Sequence, residues 1–415
     1  MNKRLKRLYP CLALCCALSG CGGASDSSAS SAPSGPVYNT VLNERLTPVW
    51  ADGGTATDET VFVIREKDGG IAPVSLAYPI EEIVCVRDFS LNIEYEEGTD
   101  YTVRDGQLVI SETGNIQVIP YEQFYFERYK EGESWLTLDG VGGQLMTEAQ
   151  LIGGVPSPGL TQWQIAVTYR HSAEWEGAVP ADKSTRFPRL NGKLNAGEGA
   201  SVVCLGDSIS AGWTASGYDQ VFLKPYCPPY FGLISDYMAA RWQGVSFANL
   251  SVGGMTSGWG AEPAQIAAVA ARKPDLLIIA FGMNDGSGSG ALSAEAFGRN
   301  IRAIVDGVRE SCLDCEVLLV STMLPNAEVC FGPGSPALNQ QGNYAAALAA
   351  LEAEYEGVAL ADVTAVHKTL LERKKFQDMS TNNINHPNDY MHRVYAQTAL
   401  TALFGSIERV EMAEY

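Results

Sequence analysis

From residue 200 onward, short apolar runs alternate with amphipathic stretches. Ser201–Leu205, Val245–Leu250, Asp275–Phe281, Glu316–Ser321 and Val358–Leu360 are rich in Val, Ile and Leu. Asp275–Phe281 (DLLIIAF) is nearly continuous in apolar residues, the pattern of a strand buried on both faces. Pro229–Trp242, Pro263–Arg272, Ser293–Arg309 and Pro387–Phe404 read as helices. Pro263 suits a first helical turn, Ser293 a cap, and Gly244 a position just past a helix end. Strands alternating with helices predict an α/β domain over residues 200–415, a parallel sheet covered on both faces.

The pattern before residue 190 is different. Val61-Phe62-Val63-Ile64 and Ile165-Ala166-Val167-Thr168-Tyr169 are short strand-like runs separated by Gly, Pro and Asp. Tyr101-Thr102-Val103 and Leu108-Val109-Ile110 flank Asp105-Gly106, two residues that tolerate positive φ and mark a hairpin. No helical period longer than two turns appears. Residues 37–190 therefore predict an all-β sandwich domain, and 191–199 (NGKLNAGEG) read as a linker to the second domain.

The N-terminus adds a targeting signal. Lys3, Arg4, Lys6 and Arg7 precede a short apolar run at 11–19, too short to span a bilayer. Leu18-Ser19-Gly20-Cys21 resembles a bacterial lipobox. That resemblance implies a signal peptide at 1–20, a diacylglyceryl group on Cys21 and a cell-surface, lipid-anchored protein. An ordinary signal peptide with Cys21 as a passenger is the alternative. Residues 21–36 are almost all Gly, Ser, Ala and Pro and read as a flexible tether. The later run Ala264–Phe281 is interrupted by Arg272-Lys273-Pro274-Asp275.

Composition narrows the partners. The net charge is −19, which repels nucleic-acid backbones and anionic lipid and leaves the acyl anchor as the expected membrane contact. Six cysteines follow Cys21, too few in 415 residues for a disulfide scaffold. Cys227 and Cys330 follow the first and fourth strands of the sheet, so a disulfide between them is expected. Cys312-x-x-Cys315 reads as a local disulfide or two free thiols. Four His in all leave little room for zinc, and no metal or cofactor is expected. His171, His367 and His392 read as structural.

The candidate chemistry lies at strand ends. The first strand of the α/β domain runs into Gly206-Asp207-Ser208-Ile209-Ser210. Asn249-Leu250-Ser251-Val252-Gly253-Gly254 follows the second, and Gly282-Met283-Asn284-Asp285 the third. Asn385-His386-Pro387-Asn388-Asp389 precedes the last helix. Open parallel sheets gather ligands at this carboxyl edge. A serine hydroxyl needs a base, and His titrates nearest neutrality.

In these four blocks, in this order, the chain resembles the SGNH (GDSL-like) hydrolase family over residues 200–405. The resemblance implies a flavodoxin-like three-layer sandwich and a serine ester hydrolase. Carried over position by position, Ser208 is the nucleophile and His386 its base. The backbone N–H groups of Ser208 and Gly253 and the Asn284 amide form an oxyanion hole. The family places Asp three residues before the His, where this chain has Asn383. Three expectations stay open: a neutral acceptor orients His386, either a backbone carbonyl or the Asn383 oxygen; Asp378 or Asp389 serves instead; or the enzyme is slow. The first is favoured.

The anchor, β-domain and hydrolase domain together resemble two-domain carbohydrate esterases. They imply a cell-surface esterase that removes O-acetyl groups from carbohydrates, with Trp213, Tyr218, Tyr226, Tyr230 and Trp259 as candidate substrate lining. The alternatives are a short-chain lipase, thioesterase or arylesterase, and a glycan-binding lipoprotein with a vestigial hydrolase domain.

Overall fold

The computed structural model describes residues 39–125, 159–219, 222–327 and 340–411, with the backbone of 151–152 and 155–156. Cys21 and Cys330 lie outside the described residues. The antiparallel strands come first: β1 (Gly54–Phe62), β2 (Glu82–Asp88), β3 (Glu94–Tyr95), β4 (Tyr101–Arg104), β5 (Gln107–Ile110), the short pair β6 (Leu151–Ile152) and β7 (Val155–Pro156), and β8 (Gln164–His171). They form a four-stranded sheet in the order β1-β8-β2-β3, with β4 and β5 as a separate hairpin. Val61 pairs with Ile165 and Arg104 with Gln107. The hairpin turn holds Asp105 at φ 52° and Gly106 at φ 75°, as its two residues predict.

The parallel strands are β9 (Ala200–Gly206), β10 (Val245–Asn249), β11 (Leu276–Ala280), β12 (Glu316–Val320) and β13 (Val358–Ala361). Their order is β10-β9-β11-β12-β13. The order reverses between β9 and β11, so the switch point, where such sheets bind ligands, lies between those strands. All five residues of β11 and of β12 are buried. Alternate side chains feed two cores. Val202, Cys204, Leu276, Ile278, Leu318 and Val320 join one; Val203, Leu205, Leu277, Ile279, Val317 and Leu319 join the other.

Eleven α-helices are described: α1 (Thr40–Leu46), α2 (Tyr121–Phe124), α3 (Pro188–Ala196), α4 (Ser208–Ala211), α5 (Tyr230–Arg241), α6 (Ser257–Gly260), α7 (Pro263–Ala270), α8 (Ala294–Ser311), α9 (Gln341–Glu354), α10 (Val363–Leu371) and α11 (Asp389–Phe404). Helix α8 shows why these segments take their faces. Ser293 caps it by accepting from Ala296 N. Phe297, Ile301, Ile304, Val305 and Val308 recur every three or four residues and are buried. None of the described helices is long and apolar enough to cross a membrane.

The expected linker is a helix instead. Residues 188–196 form α3, with Pro188 in its first turn and Gly197 at φ 71° closing it. Leu190 and Leu194, four residues apart, are buried. Packing of these two leucines overrides the poor helix propensity of Asn191, Gly192 and Asn195.

The antiparallel sheet and the last helix share one core. Val61, Val86, Val167 and Tyr169 pack in the same cluster as Met391, Val394 and Leu400 of α11. A buried ion pair crosses the same boundary, Lys374 Nζ to Glu59 Oε1 at 2.6 Å, with side-chain exposures of 0% and 3%. Glu59 also accepts from Ala77 N and the Tyr169 hydroxyl at 2.8 Å each.

Candidate active site

Strand β9 delivers the nucleophile block. A side chain at Gly206 would collide with Ala280 O and with Ser210, so β9 must end on glycine. Asp207 then caps α4, accepting from Ile209 N at 3.0 Å. Burial pushes the Asp207 carboxyl up to about 7, and the nearby Asp285 charge adds to it. Ser208 opens the helix and is 5% exposed. The turn is braced from behind. Tyr230 OH donates to Ser210 Oγ at 2.8 Å, and Asn249 Nδ2 donates to Ser210 O at 2.7 Å.

The two neighbouring blocks are fastened to each other. Asn284 Nδ2 donates to Met255 O at 2.9 Å, which commits one of its two hydrogens and leaves the second as a donor. Asp285, beside it, accepts from Ser257 N and Ser257 Oγ. Burial raises the Asp285 carboxyl above its ordinary range. Gln341, at the start of α9, donates to Met283 O at 2.9 Å and Ser287 Oγ at 2.7 Å, gripping both ends of the Asn284 turn. At Gly253, an added Cβ would lie 3.1 Å from the Trp213 ring.

His386 reaches the nucleophile from the other side. Its Nε2 is 2.8 Å from Ser208 Oγ. The Trp213 ring lies nearly parallel to the imidazole, 5.9 Å between centroids and 28° between planes. Burial lowers the His386 pKa to about 4. The loop before α11 is held from two directions. Ser380 Oγ and Thr381 N donate to His386 O at 2.9 and 3.2 Å. The antiparallel sheet supplies the rest: Gln164 Nε2 donates to Gln377 O and Ser380 O at 2.6 and 2.9 Å, and Phe62 N donates to Asp378 Oδ1 at 2.7 Å.

The partner of His386 Nδ1 differs from the expectation. It is Asn382 Nδ2, at 2.8 Å. Asn383, expected to orient the ring, turns away. Its backbone is left-handed at φ 59°, and its Oδ1 accepts from Asn326 Nδ2 and Gln377 Nε2 at 2.9 Å each. Left-handed backbone suits Asn, and it rotates the side chain off the line to the imidazole. Nor does a relocated acid serve. Asp378 accepts from Phe62 N and Lys375 N, and Asp389 Oδ1 accepts from Ser216 N. The expected neutral acceptor is also corrected, because an amide nitrogen donates to Nδ1.

The orientation of that amide is fixed. Asn382 Oδ1 accepts from Ile384 N, Asn385 N and His386 N at 3.0, 3.0 and 3.1 Å. Turning the amide over would set NH2 against three N–H donors. Nδ1 is therefore an acceptor, and the imidazole hydrogen resides on Nε2.

The aromatic candidates separate. Trp213 is 36% exposed beside His386. Tyr218 is half-buried, its ring over Gly212. Tyr226 is exposed and stacks on Phe222 at 4.6 Å. Tyr230 is buried against Tyr395 and His392, and Trp259 packs edge-on to Phe281; these two are packing residues. His392 Nδ1 accepts from Tyr230 N, so its Nε2–H donates to Trp213 O at 3.2 Å and ties Trp213 to α11. Cys312 and Cys315 are free thiols, as is Cys227, whose expected partner lies outside the described residues. Among the described residues no group of three or more His, Cys, Asp or Glu could hold a metal ion.

Sequence reasoning missed Asn382, Gln341 and the support from Gln164. Three asparagines lie within four residues at 382–385, and spacing alone cannot say which one faces the imidazole.

Residues 204–394 match the family described as GDSL-like Lipase/Acylhydrolase. No curated protein matches the chain. Among solved structures, similarity extends to a two-domain esterase active on acetylated mannans, co-crystallised with mannopentaose. It is 21% identical over 52% of this chain and 53% of that one, with a TM-score of 0.40. An acetylxylan esterase from Geobacillus stearothermophilus is 16% identical over 50% of this chain and 96% of that one, with a TM-score of 0.41. An α/β hydrolase from the metagenome of Lake Arreo, Spain, is 20% identical over 49% and 95%, with a TM-score of 0.39. This chain thus spans about half the length of the first of these.

Proposed function

We propose that the protein, whose residues 204–394 match the GDSL-like lipase/acylhydrolase family, is a serine esterase that removes O-acetyl groups from carbohydrates through Ser208 and His386. One observation carries the reading: Ser208 Oγ lies 2.8 Å from His386 Nε2 at the switch point of the parallel sheet. Ser208 Oγ attacks the ester carbonyl, and its proton passes to Nε2 of His386 in the tautomer that carries the ring hydrogen on Nδ1. The tetrahedral oxyanion takes hydrogen bonds from Ser208 N–H, Gly253 N–H and the free hydrogen of Asn284 Nδ2. The C–O bond to the sugar then breaks, and the sugar oxygen leaves with the proton from His386. Water, deprotonated by the same imidazole, releases acetate from the acyl-serine.

The sugar part of the reading is supported by Trp213. Its exposed ring beside His386 offers a flat apolar face on which the C–H face of a pyranose can lie. The sequence signal at 1–21 supports attachment at the cell surface through lipidated Cys21.

The test compares p-nitrophenyl acetate, p-nitrophenyl palmitate and acetylated xylo-oligosaccharides as substrates. Acetate release from the oligosaccharide, with the palmitate ester resisting hydrolysis, is expected. Preference for the palmitate ester would replace this reading with a lipase, and no hydrolysis of any of the three would leave a vestigial domain. Cys21→Ala is expected to move the protein out of the membrane fraction; retention there would remove the anchor.

A further inference from the structure

We propose that Asn382 is a positioning residue that holds His386 in the tautomer unable to act as a base, so that this chain turns over far below the capacity of its own Ser–His geometry. The inference rests on the serine-esterase reading and concerns the step in which His386 accepts the Ser208 proton.

That step needs a lone pair on Nε2, and hence the ring hydrogen on Nδ1. The structure has the opposite arrangement. Both hydrogens of the Asn382 amide are committed, one to Asn385 Oδ1 at 3.1 Å and one to His386 Nδ1 at 2.8 Å. A hydrogen on Nδ1 would face the NH2 group, two donors with no acceptor between them. The amide cannot turn over to relieve this, because its oxygen accepts from three backbone N–H groups. The basic tautomer is therefore a minor state, and its population multiplies the rate.

The loop itself does not demand asparagine. A carboxylate oxygen would accept from the same three N–H groups at least as well. What Asn adds over Asp is the donor onto Nδ1. With Asp at this position, one oxygen stays on the backbone and the other accepts from Nδ1–H, which frees Nε2. A titratable neighbour that acts with His386 is His392, buried and neutral, with a pKa near 4. Among the described residues no carboxylate or cation is hydrogen-bonded to the imidazole, whose ring nitrogens meet Asn382 and Ser208.

In serine proteases, Asp→Asn at the orienting position costs about 10⁴ in kcat through the tautomer. Asn382→Asp in the full chain is therefore expected to raise kcat on p-nitrophenyl acetate by about 10²–10⁴-fold with KM unchanged. Its acid limb should move to higher pH, because an adjacent carboxylate favours imidazolium. Asn383→Asp, at the position the family uses, is expected to give no rise, because that side chain faces Asn326 and Gln377. A folded Asn382→Asp with kcat unchanged or lower overturns the proposal.

Nitrogen-15 NMR of the wild-type imidazoles, with His386 assigned by loss of its signals in His386→Gln, reads the tautomer without turnover. Hydrogen on Nε2 is expected, and hydrogen on Nδ1 overturns the proposal even where Asn382→Asp fails to fold. Ser208→Ala with activity retained would sink the esterase reading while leaving the tautomer measurement standing.

Discussion

The two halves of the candidate site are built by different means. The Ser208 turn is an extension of secondary structure. A buried strand, a glycine that admits no side chain and a capping aspartate deliver the hydroxyl within three residues of the end of β9. The His386 loop has no such scaffold. Its backbone is irregular from 379 to 388, and its carbonyls and side chains are held from residues more than 200 positions away, Gln164 and Phe62 in the antiparallel sheet. The antiparallel sheet therefore has a structural part in the site. It forms the wall against which the histidine loop is folded, in one core with α11.

The largest effect should come from the Ser208 side. Ser208→Ala is expected to lower kcat by about 10⁴-fold or more with stability unchanged, since only a hydroxyl is lost. Circular dichroism and ester hydrolysis together read both halves of that statement. On the loop side, Lys374→Met removes the cation from a fully buried pair and leaves Glu59 charged in the core. About 3–5 kcal/mol of stability should be lost, measured by urea unfolding, and activity should fall with it because Lys374 precedes the histidine loop. If the same substitution left both untouched, the β wall would not support the loop.

Asn284→Ala should lower kcat by about 10²–10³ with KM little changed, the signature of a donor that acts on the oxyanion. A pure KM effect would move Asn284 out of that role. Gln164→Leu, which removes two hydrogen bonds to the loop backbone, should cost about 1–3 kcal/mol. It should lower kcat as well, read by ester hydrolysis beside urea unfolding.

The smallest effect is one of pH. Burial lowers the His386 pKa to about 4, so the imidazole stays neutral above that value. Activity should hold as pH falls through 6 and 5 and drop near 4, where an ordinary histidine would have failed near 6.5. Stability should follow the same sign. His367 and His392 are also held neutral by burial, at about 3 and 4. Their contribution is complete above about 6.5 and lost as pH falls from there toward the folded values. A rate profile with its acid limb at 6.5 would show the imidazole to be solvated.

Much of this was legible in the chain because it is written locally. The strand Leu276–Ala280 announced itself by an unbroken apolar run, and the hairpin at Asp105-Gly106 by two residues that accept positive φ. α8 was marked by Ser293 and by apolar residues at helical spacing. Helix α3 was missed because Asn191, Gly192 and Asn195 weaken its helical signal, while only Leu190 and Leu194 reveal the buried face. α9 was missed because its alanines leave little contrast between faces.

The amino-acid pattern alone carried the parallel sheet with its covering helices, and the three strand-end blocks and one helix-start block that hold Ser208, Gly253, Asn284 and His386. Each depends on hydrophobic period, turn residues and caps within a few positions of itself. Only the tertiary structure decided that Asn382, not Asn383, faces the imidazole, and that a sheet formed from residues 54–171 holds the loop that carries it. The reason is physical. The direction of a side chain in an irregular loop is set by one left-handed residue and by hydrogen bonds to distant backbone, and neither leaves a periodic trace in the chain.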